Sequence, residues 1–366
     1  MVVKPGDGDS PPPIKRSFGQ DFFSKIGNKI KDLFMKRMPG FMDVISDYLV
    51  KRLFRFAEKL TQRSVPSSKP QEIIENPQTE DDFKKNVDFL VRQSNLGDHT
   101  SQLNESYLRE VAKKAAQLKN DPKNHLNNPD QITTLTQLAL YHPVLYCDDS
   151  LSMSTTIKGS DKKRLEALQE LVKRIISVAT RAVPDNPKEP GEKLEGASLR
   201  FINSDAEHTI RKLEDLSQVN YKADDYTPLG TQLDKRILKP FIYDFLDTGK
   251  VLPRPLLIFT ITDGEPSTEA HDTFREKIVE CMQFLTKHEY PRELVNFNIS
   301  QVGNDSNAGK FLESLKNDNE IQDILHCTAE HLDERFEELR ANERDLERWV
   351  LEMLSRQIRI KKPEST

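Results

Sequence analysis

The stretch that organises the chain is Tyr146-Cys147-Asp148-Asp149-Ser150-Leu151-Ser152-Met153. The apolar run before it, residues 143–147, predicts a buried strand that ends at two carboxylates. In open α/β sheets, ligands bind in the turns that follow the carboxyl ends of parallel strands. A carboxylate and two hydroxyls in such a turn offer hard oxygen ligands, which suit Mg²⁺, Mn²⁺ or Ca²⁺. The stretch therefore predicts a divalent-cation site at the edge of a sheet.

Length and composition indicate one large globular domain with extensions. The chain has 366 residues and a formal net charge of −5, and this acidic balance argues against nucleic acid as the main partner. The three cysteines, Cys147, Cys281 and Cys327, lie far apart in apolar stretches, which predicts reduced, buried thiols. No apolar signal segment and no run of about 18 apolar residues is present. We therefore expect a cytoplasmic protein.

The N-terminal part predicts a basic amphipathic extension. After a disordered lead (1–17), apolar residues recur at helical spacing over 18–60, with a break at Pro39-Gly40 that predicts two helices. Residues 14–60 hold eleven Lys or Arg against five Asp or Glu. Such helices can lie on an anionic membrane surface, or their apolar faces can pack on the protein body or a partner. The candidate contact residues are Lys25, Lys29, Lys36, Arg37, Lys51 and Arg52.

The remaining sequence predicts a polar linker (61–80), a helical flank (81–140), an α/β domain (141–358) and a tail (359–366). Within the α/β domain, predicted strands alternate with predicted helices, including helices over 207–219 and 229–246. This alternation is typical of a doubly wound, mostly parallel sheet that is flanked by helices on both faces. The run Leu-Leu-Ile-Phe-Thr-Ile-Thr over 256–262 is the most continuous apolar segment and predicts a central strand.

Two predicted strands end in carboxylates, at Asp148 and Asp263, and a polar turn that contains Thr227 lies between them in sequence. Because such loops meet at the switch point of a doubly wound sheet, we expect Asp148, Ser150, Ser152, Thr227 and Asp263 to converge. Three of the five are neutral hydroxyls, so a bound Mg²⁺ would keep coordination positions for an outside ligand. Taken singly, each fragment also fits a helix cap or an ordinary turn.

These segments resemble the metal-ion-dependent adhesion site of von Willebrand factor type A (vWA) domains: Asp148-x-Ser150-x-Ser152, Thr227, and Thr262-Asp263-Gly264. The resemblance covers residues 142–358 and implies a Rossmann-like vWA fold. It also implies that the protein binds other proteins and is not an enzyme. It also implies that the serines and Thr227 supply hydroxyl ligands and that the two aspartates act directly or through water. An exposed carboxylate of a protein partner would then complete the shell of the ion.

Two positions depart from the usual pattern of this family. Leu151 stands where glycine is usual, and Asp225-Tyr226 stands where paired glycines are usual. The stretches at 138–143 and 341–349 are similar to a group of fungal proteins that carry this domain.

Three functions follow as hypotheses. The favoured one is an intracellular, metal-dependent binding module with no catalytic step. An alternative is a membrane-associated effector that uses residues 18–60 to reach lipid. A third is a Mg²⁺-dependent phosphatase-like enzyme with Asp148 as nucleophile, although its acid/base position, two residues on, holds Ser150.

Overall fold

The computed structural model of the protein describes residues 73–94, 96–157, 161–184, 196–328 and 331–358. The lead, the extension, most of the linker and the tail lie outside the described residues. So do all the candidate membrane or partner contacts, Lys25, Lys29, Lys36, Arg37, Lys51 and Arg52.

The fold is α/β, with a six-stranded sheet in the order β3-β2-β1-β4-β5-β6. Its strands are β1 (His142–Cys147), β2 (Ala197–Phe201), β3 (His208–Ile210), β4 (Leu256–Thr262), β5 (Val295–Gln301) and β6 (Leu325–Cys327). Every neighbouring pair is parallel except β2 and β3, which are antiparallel. From β1 to β3 each new strand lies on one side of β1, and from β4 to β6 each new strand lies on the other side. The loops that follow β1 and β4 therefore lie next to each other at the carboxyl ends of the strands.

The central strand was predicted with the bounds that the structure has. All seven residues of β4 are buried, because helices cover both faces of the sheet. A strand in that environment is apolar throughout rather than alternating. One continuous hydrophobic core extends from the sheet into the helices on both sides.

The helices surround this sheet. They are α1 (Glu80–Ser94), α2 (Glu105–Asn120), α3 (Pro129–Ala139), α4 (Arg164–Ala179), α5 (Leu229–Leu233), α6 (Asp244–Leu246), α7 (Thr273–Lys287), α8 (Ser306–Lys316), α9 (Leu332–Leu339) and α10 (Glu343–Ser355). A π-helical stretch, Asp234–Tyr243, joins α5 to α6 and contains Pro240. The helix predicted over 229–246 is therefore helical throughout, but most of it has π geometry. Proline cannot donate a backbone hydrogen bond within a helix, and π turns are rare departures from the α form.

The prediction of a helix over 207–219 is wrong. The segment begins as the edge strand β3, which pairs with β2 from Ala197↔Ile210 to Leu199↔His208. A short 3-10 helix, Leu213–Gln218, follows it. Strand pairing decides this segment, because the preference of a short Thr-Ile sequence for strand or helix depends mainly on its tertiary neighbours.

The helices α2 and α3 contact the segment that precedes β4, at the end of the sheet opposite to the predicted cation site. The buried Arg254, just before β4, donates through Nη1 to Tyr107 Oη (2.9 Å) and to the Ala139 carbonyl (3.0 Å). His142, the first residue of β1, lies near this guanidinium, and burial together with the charges of Arg254 and Arg200 lowers its pKa to about 3. Both ring nitrogens of His142 have partners, Nε2 the Ser198 hydroxyl at 2.9 Å and Nδ1 the Arg254 guanidinium at 3.4 Å.

All three cysteines are buried free thiols, as their apolar neighbours predict. None of the described helices is long and apolar enough to cross a membrane.

Candidate metal centre

The first two loops of the candidate site are adjacent because their strands are adjacent. β1 and β4 pair in parallel up to Cys147↔Ile261. The Asp148 N–H continues the ladder by donating to the Ile261 carbonyl at 2.8 Å. Asp148 and Asp263 therefore leave the sheet at the same edge, as the sequence predicts.

A chain of hydrogen bonds joins four of the five predicted ligands. The Ser150 and Ser152 hydroxyl oxygens lie 2.9 Å apart, and the Ser152 hydroxyl donates to Asp263 Oδ1 at 2.7 Å. The Ser150 N–H donates to Asp148 Oδ1 at 2.8 Å. The Thr262 hydroxyl donates to the other oxygen, Asp148 Oδ2, at 2.6 Å. Predicted ligands that are 111 residues apart in sequence thus form one cluster of oxygens.

The local fold of the first loop turns Ser152 towards β4. Ser150 is extended (φ −67°, ψ 163°) and precedes a 3-10 helix, Leu151–Ser154. Leu151 is not among the described non-glycine residues with positive φ, so this leucine fits the loop without backbone strain. Ser150 is buried and Ser152 is exposed, and the oxygen cluster therefore opens to solvent at Ser152.

Thr227 belongs to a third loop that hydrogen-bonds to both of the others. The Leu151 N–H donates to the Asp225 carbonyl at 3.0 Å, which joins the Thr227 loop to the β1 loop. On the β4 side, the Thr227 N–H donates to Ser267 Oγ at 2.9 Å. The Ser267 N–H donates in return to the Thr227 carbonyl, also at 2.9 Å. The three loops thus meet through hydrogen bonds, but the Thr227 hydroxyl is not part of the chain of bonds between the serines and Asp263.

The start of α5 fixes the position of the Thr227 loop. Glu269 accepts from the Gly230 N–H (2.7 Å) and the Thr231 N–H (2.9 Å), which satisfies amides that have no partner within the helix. Gly230 packs so closely on α7 that a Cβ there would lie 2.4 Å from the Phe274 nitrogen. The sequence reasoning did not find Ser267 or Glu269, although the polar run that follows Gly264 in the sequence could have indicated a structured loop.

The site carries a deficit of positive charge. Asp148 and Asp263 are almost fully buried, at 0% and 1% exposure. Burial and the negative charge of Asp263 raise the pKa of Asp148 to about 6, although hydrogen bonds from Ser150 and Thr262 oppose the shift. Among the described residues, Asp148 forms no ion pair, so a cation bound between the two carboxylates would relieve this repulsion. An oxygen-only ligand set with two carboxylates fits Mg²⁺ or another hard divalent ion.

Arg164, which the sequence reasoning missed, balances one of the two carboxylates. Its Nη1 donates to Asp263 Oδ2 at 2.8 Å. The guanidinium lies against Gly303, where a Cβ would be 2.7 Å from Nε, and this buried Nε has no hydrogen-bond partner. Arg164 is the first residue of α4, a position where the helix dipole disfavours a positive charge. The run Lys162-Lys163-Arg164 at a helix start was therefore a signal that one of these cations has an acidic partner.

Asp149 has a structural role in the same loop. It is 2% exposed and accepts from the Asn203 N–H (2.7 Å) and the Ser204 N–H (2.9 Å). Burial raises its pKa while these two bonds oppose the shift. Both carboxylate oxygens face the loop after β2, so Asp149 joins the ends of β1 and β2.

A second group of candidate ligands, His125, Glu343 and Glu347, lies outside these three loops. Both carboxylates in it are already paired. Arg181 binds Glu347 through two nitrogens and Arg174 binds Glu343. This group is an ion-pair network that holds α10 against α4.

A scan against protein-family models finds no match for this chain, and a search of curated proteins finds no similar sequence.

Proposed function

We propose that the chain is a vWA-type binding module, cytoplasmic and without a catalytic step, in which a divalent cation captures an acidic group of a protein partner. The observation that carries this proposal is the bond from Ser152 to Asp263 together with the contact between Ser152 and Ser150. These contacts bring the first and third segments of the sequence pattern to within hydrogen-bonding distance. Helix capping or turn formation alone would not require that convergence.

The topology supports the finer assignment of the fold. The strand order 3-2-1-4-5-6 is the order of doubly wound nucleotide-binding sheets, in which ligands bind where the strand order reverses. Here the reversal lies between β1 and β4, the strands that precede Asp148 and Asp263. The position of the candidate site thus follows from the topology independently of the sequence pattern.

The chemistry of the ligand set suits a bound hard cation. Asp148, Ser150, Ser152, Thr227 and Asp263 would hold the ion, Mg²⁺ in the first instance and Mn²⁺ or Ca²⁺ as alternatives. When bound, the ion supplies a positively charged coordination point that a carboxylate from outside can occupy. Hydrogen bonds hold the oxygens of the two serines and the two aspartates in place, and the exposed side of Ser152 leaves an approach from solvent.

Thermal unfolding of chelator-treated protein, with and without 5 mM Mg²⁺ or Mn²⁺, tests the cation site. Ligand binding to the folded state alone stabilises it by RT ln(1 + [L]/Kd), which is about 2.7 kcal/mol at a hundredfold excess over Kd. We expect a rise in Tm for the wild type and a much smaller rise for Ser152→Ala.

Ser154→Ala is the matched control for this test. Ser154 is exposed in the same 3-10 helix, and its hydroxyl donates to the Leu151 carbonyl (2.7 Å) rather than to the site. Its metal-dependent shift should equal that of the wild type. A wild-type protein whose Tm does not respond to either ion would contradict the proposal.

A further inference from the structure

Large apolar side chains are almost all covered in the described part of the chain, and the exceptions are concentrated at the candidate site. Leu151 is 62% exposed and Tyr226 is 63% exposed, and the next is Val251 at 39%. Single exposed apolar residues are ordinary on protein surfaces. Here, however, two of the three exceptions flank one small cluster of ligands. Leu151 stands between the two serines and Tyr226 directly precedes Thr227.

Hydrogen bonds hold the loops that carry these two side chains next to each other. The Leu151 N–H donates to the carbonyl of Asp225, the residue before Tyr226, at 3.0 Å. Asn203 Nδ2 donates to the carbonyls of Asp224 (2.8 Å) and Tyr226 (2.9 Å). Asp225 takes a left-handed conformation (φ 58°), which is uncommon for a residue other than glycine. The backbone is therefore held by specific bonds in a conformation that leaves both side chains in solvent.

Exposure of two such side chains on an ordered loop pair has no benefit for the fold, since the packing of apolar surface is what stabilises it. The two exposed side chains are instead available to contact a binding partner next to the ion. A tyrosine and a leucine offer a large contact area with few rotatable bonds, and aromatic residues are enriched in the energetic centres of interfaces. Coordination by the ion alone would accept any carboxylate, so selectivity needs a neighbouring contact.

We propose that Leu151 and Tyr226 form an apolar contact surface for a protein partner. The partner segment then carries a large apolar side chain within about two residues of the carboxylate that reaches the ion. This inference rests on the proposed function. The charge of the bound ion selects the acidic residue, and the Leu151–Tyr226 surface selects its apolar neighbour.

Selection from a random linear peptide library tests the surface without knowledge of the natural partner. The full chain is immobilised, peptides are bound in Mg²⁺, and bound peptides are released by a chelator. We expect the released peptides to be enriched in Asp or Glu with Leu, Ile, Met, Phe, Tyr or Trp within two positions. Enrichment of acidic residues with no apolar preference would overturn the surface and leave the cation site standing. If the chelator releases no Mg²⁺-dependent peptide, both the surface and the proposed function fail.

Binding of one enriched peptide to single variants gives the second measurement. We expect Leu151→Ser and Tyr226→Ser each to weaken binding about tenfold or more, as is typical of residues at the centre of an interface. Val251→Ser is the matched control, since it removes the third exposed apolar side chain from a site outside the three loops, and it should leave the affinity unchanged. All three variants should bind Mn²⁺ in calorimetry as the wild type does. Equal peptide affinity in wild type and Leu151→Ser would overturn the proposal.

A second copy of this chain is the competing occupant, since Asp225 and Tyr226 themselves place a carboxylate beside an exposed aromatic ring. Light scattering in Mg²⁺ with increasing protein concentration distinguishes the two. A monomer at all concentrations supports a separate partner. A Mg²⁺-dependent dimer that Tyr226→Ser abolishes would replace the external partner with a second copy and overturn the proposal.

Discussion

Replacing Arg164 by methionine should tighten Mg²⁺ binding and at the same time weaken the metal-free fold. The guanidinium pairs with Asp263, a predicted ligand, at 2.8 Å. A divalent ion that approaches the same carboxylate meets the opposing charge of Arg164. Methionine keeps most of the length of the side chain without that charge. It therefore removes the repulsion between the side chain and the ion while it still fills the space next to the surrounding loops.

The expected change in the free energy of Mg²⁺ binding follows from the burial of Arg164 and Asp263. Two unit charges about 4 Å apart interact by about 4 kcal/mol at an effective dielectric constant of about 20. The Arg164 side chain is 16% exposed and that of Asp263 is 0% exposed, so solvent screens only part of this interaction. We therefore expect about 1.4–2.8 kcal/mol of tighter binding, which is a decrease in Kd of about ten- to a hundredfold.

The metal-free protein should be less stable in Arg164→Met than in the wild type. Without Arg164, the buried carboxylate of Asp263 loses its ion pair, and removal of one partner of a buried pair costs about 3–5 kcal/mol. Titration calorimetry of Mg²⁺ into chelator-treated protein gives the Kd, and scanning calorimetry gives the Tm. The increase in Tm caused by Mg²⁺ should therefore be larger in Arg164→Met than in the wild type.

Arg174→Met is the matched control for this experiment. Arg174 lies on the same helix and pairs with the partly exposed Glu343, about 15 Å along the helix axis from Arg164. That distance exceeds the screening length of about 8 Å at physiological ionic strength, so Mg²⁺ affinity should not change. Unchanged or weaker Mg²⁺ binding in Arg164→Met would refute the reasoning.

The remaining predictions concern the other aspartates and the extension. The folded pKa of Asp148, about 6, lies above an unfolded value of about 3.9. The metal-free fold should therefore lose about 3 kcal/mol as pH rises from about 4 to 7. In Asp148→Asn, the free energy of unfolding measured by urea titration should fall much less over this pH range. An equal fall in the variant and the wild type would contradict the prediction. Asp149→Ala leaves the Asn203 and Ser204 amides without acceptors; it should cost about 2–4 kcal/mol while Mg²⁺ still raises the Tm, and loss of that rise would make Asp149 a ligand. If the extension binds lipid, the full chain should sediment with anionic vesicles. Glutamine at all six candidate basic positions of residues 18–60 should abolish this sedimentation, and equal sedimentation would leave packing on the protein or a partner as the interpretation.

The parts of the fold that the sequence predicts well are those in which local pattern and tertiary environment agree. β4 is apolar because it is buried on both faces, and α3 begins at Pro129 with a capping box between Asn128 and Gln131. β3 was missed because three residues carry no periodicity, and only pairing with β2 makes them a strand. The edges of the sheet are therefore the least predictable part of the fold from sequence alone.

The same distinction applies to the candidate site. Asp148, Ser150 and Ser152 lie within five residues, so their spacing in the sequence shows them directly. Arg164 and Thr262 act only because α4 and β4 bring them to the aspartates, and the slot at Gly303 that receives the guanidinium forms after β5. Spacing in the sequence identifies candidate ligands, whereas the groups that set their charge come from tertiary packing.

The charges of the site account for why an acidic partner would be selected. Asp148 and Asp263 contribute two negative charges and Arg164 one positive charge, so the site without an ion has a net charge of minus one. A divalent ion brings the site to plus one, and one carboxylate from a partner brings it to neutrality. Arg164→Met should therefore have opposite effects on the two ligands, since a site that is neutral with its ion attracts a carboxylate less. Tighter Mg²⁺ binding combined with weaker binding of an acidic peptide would identify Arg164 as the residue that sets this balance. Parallel changes in the two affinities would show that the guanidinium acts only through the position of Asp263.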